Sequence, residues 1–336
     1  MTFNQLKYLL GVVDNGLNIT TAAERLFTSQ PGISKQLRQL EREIGVQLFV
    51  RKGKSLVGLT PAGQTVVEYA RRILRDVDNI RSLGKELTSE EDGTLSIATT
   101  HAQARYVLPD ILRRFHQRYP KVNLELHQGT SEQIAQLVAD DRVDFAIATE
   151  SCEAFPELNL LPCYSWDRIV LTQQGHPLAL ESKPLTLRKL AEHPLITYVF
   201  SSNGESSFLK AFARENLEPK VVFTARDADV IKTYVRMGMG AGVIAPMALQ
   251  CDDLEDLVSI SAKGLFPRVT TWVGVPRHRV FRRYMQDFIS MFAPHWPLEL
   301  ISQAAAAETQ EEVEQLAKNV TLPLRNGCTE KLADAA

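Results

Sequence analysis

Cysteine is scarce in this chain of 336 residues: four in all, Cys152, Cys163, Cys251 and Cys328. None forms a C-x-x-C pair, and none sits beside a histidine at zinc-ligand spacing. That excludes a disulfide scaffold and a zinc module and leaves reduced, mostly buried thiols as the expectation. The seven histidines are scattered, so no metal site is expected. No apolar run is long enough to cross a bilayer, so no membrane partner is expected. The opening MTFNQLKYLLGVVDNG lacks a basic segment followed by a long apolar stretch and a small-residue cleavage site, and a cytoplasmic protein is expected. There is no phosphate-binding lysine loop, no paired acid and base, and no nucleophile elbow. The glycines of Gly238-Met239-Gly240-Ala241-Gly242 follow a helical pattern and precede a strand-like one. A dinucleotide loop requires the reverse order. Neither an enzyme nor a cofactor is expected.

What is present begins with an uneven charge distribution. The net charge of −2 conceals a basic head: residues 1–88 hold 13 Lys+Arg against 8 Asp+Glu, and the remainder holds 25 against 32. A basic head on an acidic body suits contact with a polyanion.

Within the head, Phe3, Leu6, Leu9, Leu10 and Val13 recur at helical spacing. A second helix follows in NITTAAERLF, with Asn18 as N-cap and Ala22, Ala23, Leu26 and Phe27 as its apolar face. A third occupies TSQPGISKQLRQLEREIG: Ser29 caps it, Pro31 sits in the first turn, Ile33, Leu37, Leu40 and Ile44 form the buried stripe, and Gly45 stops it. Two short helices joined this tightly, the first with an Ala-Ala face, predict a helix-turn-helix. Gln30, Pro31, Ser34, Lys35 and Arg38 then lie on the side free to meet base edges and phosphates of duplex promoter DNA. In LFVRKGKSLVGLT two strand-like runs flank a basic tip, a wing whose Lys52 and Lys54 would reach phosphates or the minor groove. Thr60 and Pro61 open a long helix in which Val66, Ala70, Ile73, Val77, Ile80, Gly84 and Leu87 recur as a heptad seam. Such a seam pairs with a second copy, parallel or antiparallel, or packs on the chain's own body.

The run AAERLFTSQPGISKQLRQLEREIGVQLFVRKGK, continued by LTPAG, resembles the LysR-type transcriptional regulators. The resemblance implies a DNA-binding, winged helix-turn-helix regulator that assembles as a homodimer or homotetramer, with RNA polymerase as a candidate partner.

Beyond the polar linker TSEEDG, strand-like and helix-like segments alternate: LSIAT, a helix at about 104–119, VNLEL, SEQIAQLVAD and DFAIAT, then a second set from RIVLT to AGVIAP, and finally TTWVGVP and FRRYMQDFISMFAP. The alternation predicts an α/β body with largely parallel sheets. Two such blocks in tandem predict a bilobed, periplasmic-binding-protein-like effector domain with a cleft between the lobes. Ligands in such folds sit at the carboxyl ends of strands. That places Thr100, His101, Ala102 and Gln103 after the first strand, Thr149 after another, and Ser202, Asn203 and Glu205 after PLITYVF, around a small-molecule effector. The expected fold is therefore an N-terminal all-α winged helix-turn-helix (1–59), a linker and dimerisation helix (60–88), and a C-terminal α/β bilobed domain (89–298). Its lobes are expected at about 93–163 with 268–295, and at 164–267. A weakly patterned tail (299–336) completes the chain, with a short helix expected in AAAAETQEEVEQLAK and fraying expected in the last residues.

ATTHAQARYVLP, HQGT, DFAIATE, PLITY and DADVIKTYV are similar to the CysB-like branch of the family, which controls sulfur assimilation and cysteine biosynthesis. That resemblance implies two Rossmann-like lobes, an acetylserine inducer, sulfate or thiosulfate as cleft anions, and cleft contacts at Thr100, Gln103 and Thr149. The chain departs from the branch in carrying Ala102 in place of a threonine, and Asn203-Gly204-Glu205-Ser206 in place of Thr-Gly-Arg-Ser. A carboxylate at Glu205, facing the cleft, would repel a sulfate-like ion and favour an ammonium group. The alternative is a LysR-type regulator of another pathway with a different effector.

Overall fold

A computed structural model describes residues 1–53, 55–86, 93–140, 142–149, 155, 158–180, 184–199, 206–277 and 281–326. The chain forms two compact units, Met1–Glu90 and Glu91–Ala336.

In the first unit, α1 (Phe3–Asp14) starts in a reciprocal cap between Thr2 and Gln5. The Asn18 carboxamide caps α2 (Ile19–Arg25) by accepting from the N–H groups of Thr20 and Thr21. Ser29 Oγ caps α3 (Gln30–Ile44), and Gly45 ends it at φ +82°, a conformation that favours glycine. Strands β1 (Phe49–Lys52) and β2 (Ser55–Leu59) pair antiparallel as the wing. Helix α4 (Pro61–Glu86) opens with Thr60 Oγ1 accepting from the Gly63 N–H. A Cβ on Gly63 would lie 2.0 Å from the Leu48 carbonyl oxygen, so only glycine lets α4 start this close to the wing. The apolar stripes of α1, α2 and α3 close on one core with Leu48, Phe49, Val67 and Ala70. Two expectations fail: Phe27 does not join the apolar face of α2 but stands 97% exposed in the turn before α3 at φ +50°, and Ile44, the last residue of α3, is exposed rather than part of its buried stripe.

The second unit holds two five-stranded sheets. Lobe 1 contains β3 (Gly93–Thr99), α5 (His101–Tyr106), α6 (Leu108–Arg118), β4 (Val122–Gln128), α7 (Ser131–Ala139), β5 (Phe145–Ala148) and β6 (Leu158–Trp166). Lobe 2 contains β7 (Ile169–Gln173), α8 (Pro177–Leu180), α9 (Leu187–Glu192), β8 (Leu195–Tyr198), α10 (Ser207–Arg214), β9 (Val221–Ala225), α11 (Ala228–Arg236), β10 (Ala241–Ile244) and β11 (Leu257–Ser261). The chain then returns to lobe 1 with β12 (Val269–Pro276), α12 (Arg283–Phe292), α13 (Leu298–Ala306) and α14 (Gln310–Ala317). Strand orders are β4-β3-β5-β12-β6 and β11-β7-β10-β8-β9. Where the chain crosses between lobes, Arg268 on the return segment pairs with Asp167 on the outgoing one at 3.3 Å.

Three sequence expectations are corrected here. The sheets are mixed rather than largely parallel, because β12 runs antiparallel to both β5 and β6, and β7 antiparallel to both β10 and β11. A chain that leaves a lobe and returns inserts its return strand in the opposite sense. The single helix expected at 104–119 is two: α5 begins at His101 and ends at Val107, at φ −111°, and α6 starts there with Pro109 in its first turn, where a missing N–H costs nothing. Cys251 is disulfide-bonded rather than reduced, whereas Cys163 is a free, buried thiol. Strand β6 went unread, since LNLLPCYSW has no period-two alternation; all nine of its residues are buried. Residues 298–326 pack on lobe 1, with the expected short helix present as α14: Ile301, Ala304, Ala305 and Val313 enter the core, and the last residues, expected to fray, lie outside the described residues from 327 on. There the Asn159 amide donates to the carbonyls of Ala304 and Ala307, and Gln310 bonds both backbone groups of Leu160.

Candidate DNA-reading surface and effector cleft

On the head, the capped start of α3 projects Gln30 and Pro31, and its outer face carries Lys35 and Arg38, all exposed, with Ser34 half-buried between them. The stripe Ile33, Leu37 and Leu40 is fully buried, so helical geometry leaves these five residues on one outward side. Lys52 is exposed on the wing, and Lys54 lies outside the described residues. Glu41 is the residue that sequence reasoning missed. Its carboxylate accepts from the N–H groups of Leu48 and Phe49 and pairs with Arg51 at 2.7 Å, fastening the wing to α3. Asp14–Arg71 and the Met1 amine–Glu43 pair neutralise further charges, while Lys35, Arg38 and Lys52 make no ion pair among the described residues. These unpaired cations on α3 and the wing suit phosphate contact.

In the second unit the residues expected at an effector cleft sit at strand ends. Thr99, the last residue of β3, is buried and spends its hydroxyl on the Ile147 carbonyl. Thr100 holds the N-cap position of α5, yet its side chain makes no cap hydrogen bond. His101 and Ala102 are half-buried, Gln103 is buried, and Thr149 is half-buried just past β5. Gln103 is held from behind: its amide oxygen accepts from the Tyr164 hydroxyl on β6. Ser202, Asn203 and Glu205 lie outside the described residues.

Contacts between the lobes meet at α5. Tyr106 donates to Asp229 of α11 at 2.6 Å, and Arg105 faces the same carboxylate at 3.6 Å. Lys232, also buried, lies 3.3 Å from Asp229 and 2.9 Å from Asp253, with its ammonium 5.2 Å from the Tyr106 ring centre. Burial pushes the Asp229 carboxyl up, but Tyr106, Lys232 and Arg105 outweigh it and hold the group below its ordinary range. Burial and the same carboxylate raise the Tyr106 phenol, and burial raises that of Tyr198 to about 12. His101, Asp227 and Asp229 also bring a ring nitrogen and two carboxylate oxygens within 4.8 Å of one another. Asp227 caps α11 through one carboxylate oxygen, and Asp229 serves Tyr106 and Lys232. Scattered histidines in the sequence gave no sign of this grouping.

A winged helix-turn-helix joined to a bilobed sensor domain defines a ligand-responsive transcription regulator. The family comparisons name the class: residues 3–64 match the bacterial regulatory helix-turn-helix protein, lysR family, and residues 88–297 match the LysR substrate binding domain. The chain belongs to the LysR family. It is 42% identical to the HTH-type transcriptional regulator CysB of Haemophilus influenzae over 322 residues, 96% of this chain and 99% of that protein. It is 43% identical to the transcriptional regulator SsuR of Burkholderia cenocepacia, covering 88% of this chain and 96% of that one. Among solved structures, the cofactor-binding domain of the Cbl transcriptional regulator superimposes with a TM-score of 0.61 at 38% identity, covering 66% of this chain and 96% of that one. Among the described residues no helix is long and apolar enough to cross a membrane.

Proposed function

We propose that this LysR-family regulator controls genes of sulfur assimilation and cysteine biosynthesis, and that a small polar metabolite between its lobes sets its promoter activity. The observation that supports the reading is that Thr100 and Gln103 follow β3 and Thr149 follows its parallel neighbour β5, with the Thr100 hydroxyl unused by its own helix. Neutral hydroxyls and a carboxamide suit an acetylserine-type molecule or a sulfate- or thiosulfate-type anion. Calorimetry of the full chain with acetylserine, sulfate, thiosulfate and an aromatic acid tests it. Binding of a sulfur-pathway ligand that Thr100→Ala and Thr149→Ala weaken is the expected result; binding of the aromatic acid alone transfers the regulator to another pathway. Glu205→Arg is expected to raise sulfate affinity, and no change removes Glu205 from the site.

At the DNA, Gln30, Pro31, Ser34, Lys35 and Arg38 enter the major groove and Lys52 and Lys54 track the backbone of a cytoplasmic protein's promoter target. Ser34→Ala or Lys35→Ala is expected to cost about 1–3 kcal/mol of sequence-specific binding where a base-edge contact is lost. Lys52→Ala is expected to reduce the slope of log affinity against log salt by roughly 0.9, the signature of one phosphate contact. Titration of labelled promoter DNA at several salt concentrations reads both, and unchanged affinity and slope in all three variants removes α3 and the wing from the groove. Duplex DNA with two-fold symmetry calls for an even-numbered assembly, paired through α4.

A further inference from the structure

The matched sensor domain ends at residue 297, and the described residues beyond it run from 298 to 326. Its last part crosses the edge of the lobe 1 sheet. The Ser165 N–H donates to the Pro323 carbonyl at 2.9 Å, the Arg325 N–H donates to the Ser165 carbonyl at 2.8 Å, and Leu324 bridges Ser165 in parallel sense. Edge strand β6 is thereby covered by the protein's own terminus. This docking brings the Arg325 guanidinium over the Tyr164 ring, 4.9 Å from its centre. On the other side the Tyr164 hydroxyl donates to the amide oxygen of Gln103, buried at the cleft. A carboxamide has one acceptor end and one donor end. With the acceptor end occupied by Tyr164, the NH2 end is the one left for a ligand.

We propose that Tyr164, seated by Arg325 of the C-terminal arm, is a positioning residue that fixes the Gln103 amide with its NH2 end toward the effector and so selects ligands that present an oxygen acceptor. This rests on the reading of Gln103 as an effector contact. The phenol is buried and uncharged, its ionisation pushed up by burial and only partly offset by Arg325. Tyr164 therefore serves as a neutral donor across the ordinary pH range. Without it, the amide is free to turn and can offer its oxygen to the ligand as readily as its NH2.

The experiment is calorimetry of the full chain with sulfate and with acetylserine, in a cycle of Tyr164→Phe, Gln103→Ala and the double variant, with the unliganded melting temperature recorded for each. Tyr164→Phe keeps the ring in its pocket and removes only the hydroxyl. It is expected to weaken binding of an oxygen-presenting ligand by about tenfold, the value of one hydrogen bond to a charged acceptor. In the Gln103→Ala background the same change is expected to have no effect. Arg325→Ala is expected to weaken binding less, and Arg325→Lys, which keeps a cation over the ring, to restore part of it. These surface variants serve if Tyr164→Phe folds poorly. Weakening by Gln103→Ala but not by Tyr164→Phe or Arg325→Ala overturns the inference and leaves the cleft reading standing. Equal weakening by Tyr164→Phe in both backgrounds means a general packing role and also overturns it. Wild-type affinity in Gln103→Ala, or an unmutated chain that binds neither probe, overturns the cleft reading and the inference together.

Discussion

Lys232 illustrates how single residues bear on this molecule. An ammonium that is 3% exposed is tolerable only because Asp253, itself 8% exposed, lies 2.9 Å away, with Asp229 and the Ala248 carbonyl completing its shell. Arg236 extends the network to Asp253 and Asp256 at 2.8 and 2.6 Å. Removing one member is costly because the other stays buried. Asp253→Asn is expected to destabilise the protein by about 3–5 kcal/mol, toward the lower end because Asp229 still faces the lysine. Denaturant unfolding measures it, and a loss below half a kcal/mol would falsify the account. The pH dependence has a definite sign. Burial raises Asp229 and Asp253, but their cationic and hydrogen-bonding partners hold both below the ordinary carboxylate range in the folded state. Their contribution is present above the unfolded pKa of about 3.9 and is lost as pH falls through the folded values. The melting temperature is therefore expected to drop as pH is lowered from about 4, and less steeply in Asp253→Asn, where one of the shifted carboxyls is gone.

Helix α4 divides its work along its length. Val67 and Ala70 are buried in the head's own core and Val66, Ile73 and Leu74 pack against it, whereas Ile80 is 68% exposed. The heptad seam read in the sequence is thus shared: its first half belongs to the head, and an apolar residue further along awaits a partner. Ile80→Glu is expected to break the pairing of two copies and leave the head folded, because the charge is solvated in the separated chain and buried in the pair. Ile73→Glu is expected to destabilise the head itself. Sedimentation of both variants, alongside circular dichroism, separates the outcomes; a normal oligomer from Ile80→Glu would place the interface elsewhere.

At the scale of the molecule, lobe 1 is completed by segments far apart in sequence. Its sheet takes β12 after the chain has visited lobe 2, and its core takes Trp296 from the turn before α13 and Ile301, Ala304 and Val313 from α13 and α14. A chain ending at residue 297 would uncover the whole of α13 and α14's docking face on β6, including the Asn159 amide that now has two carbonyl partners. Its thermal midpoint is expected to fall by at least several degrees, with the protein gaining a tendency to associate through the exposed β6 edge. Scanning calorimetry with light scattering checks both, and an unchanged midpoint would reduce α13 and α14 to an ornament of the surface.

Much of the head could be read from local chemistry. Asn18, Ser29, Pro31, Gly45, Thr60 and Pro61 act within a few residues of themselves, so caps, breaks and helix faces follow from the order of residues alone. The exposed side of α3 follows from its buried stripe in the same way. In the body, β3, β4, β5 and β9 were visible as short apolar runs between helical segments. What lay beyond local reading depends on partners distant in the chain. The nine buried residues of β6 show no alternation because both faces are covered, one layer of that cover arriving more than 130 residues later. Glu41 looks like any surface glutamate until the wing folds back to meet it. Phe27 carries the side chain of a core residue yet stands exposed at positive φ in the turn before α3. Thr100 and Gln103 could be placed at a strand end from the sequence; that Thr100 leaves its own helix uncapped, and that Gln103 meets Tyr164, was decided by the tertiary structure, since only packing brings β6 beneath α5 and settles which end of an amide is free.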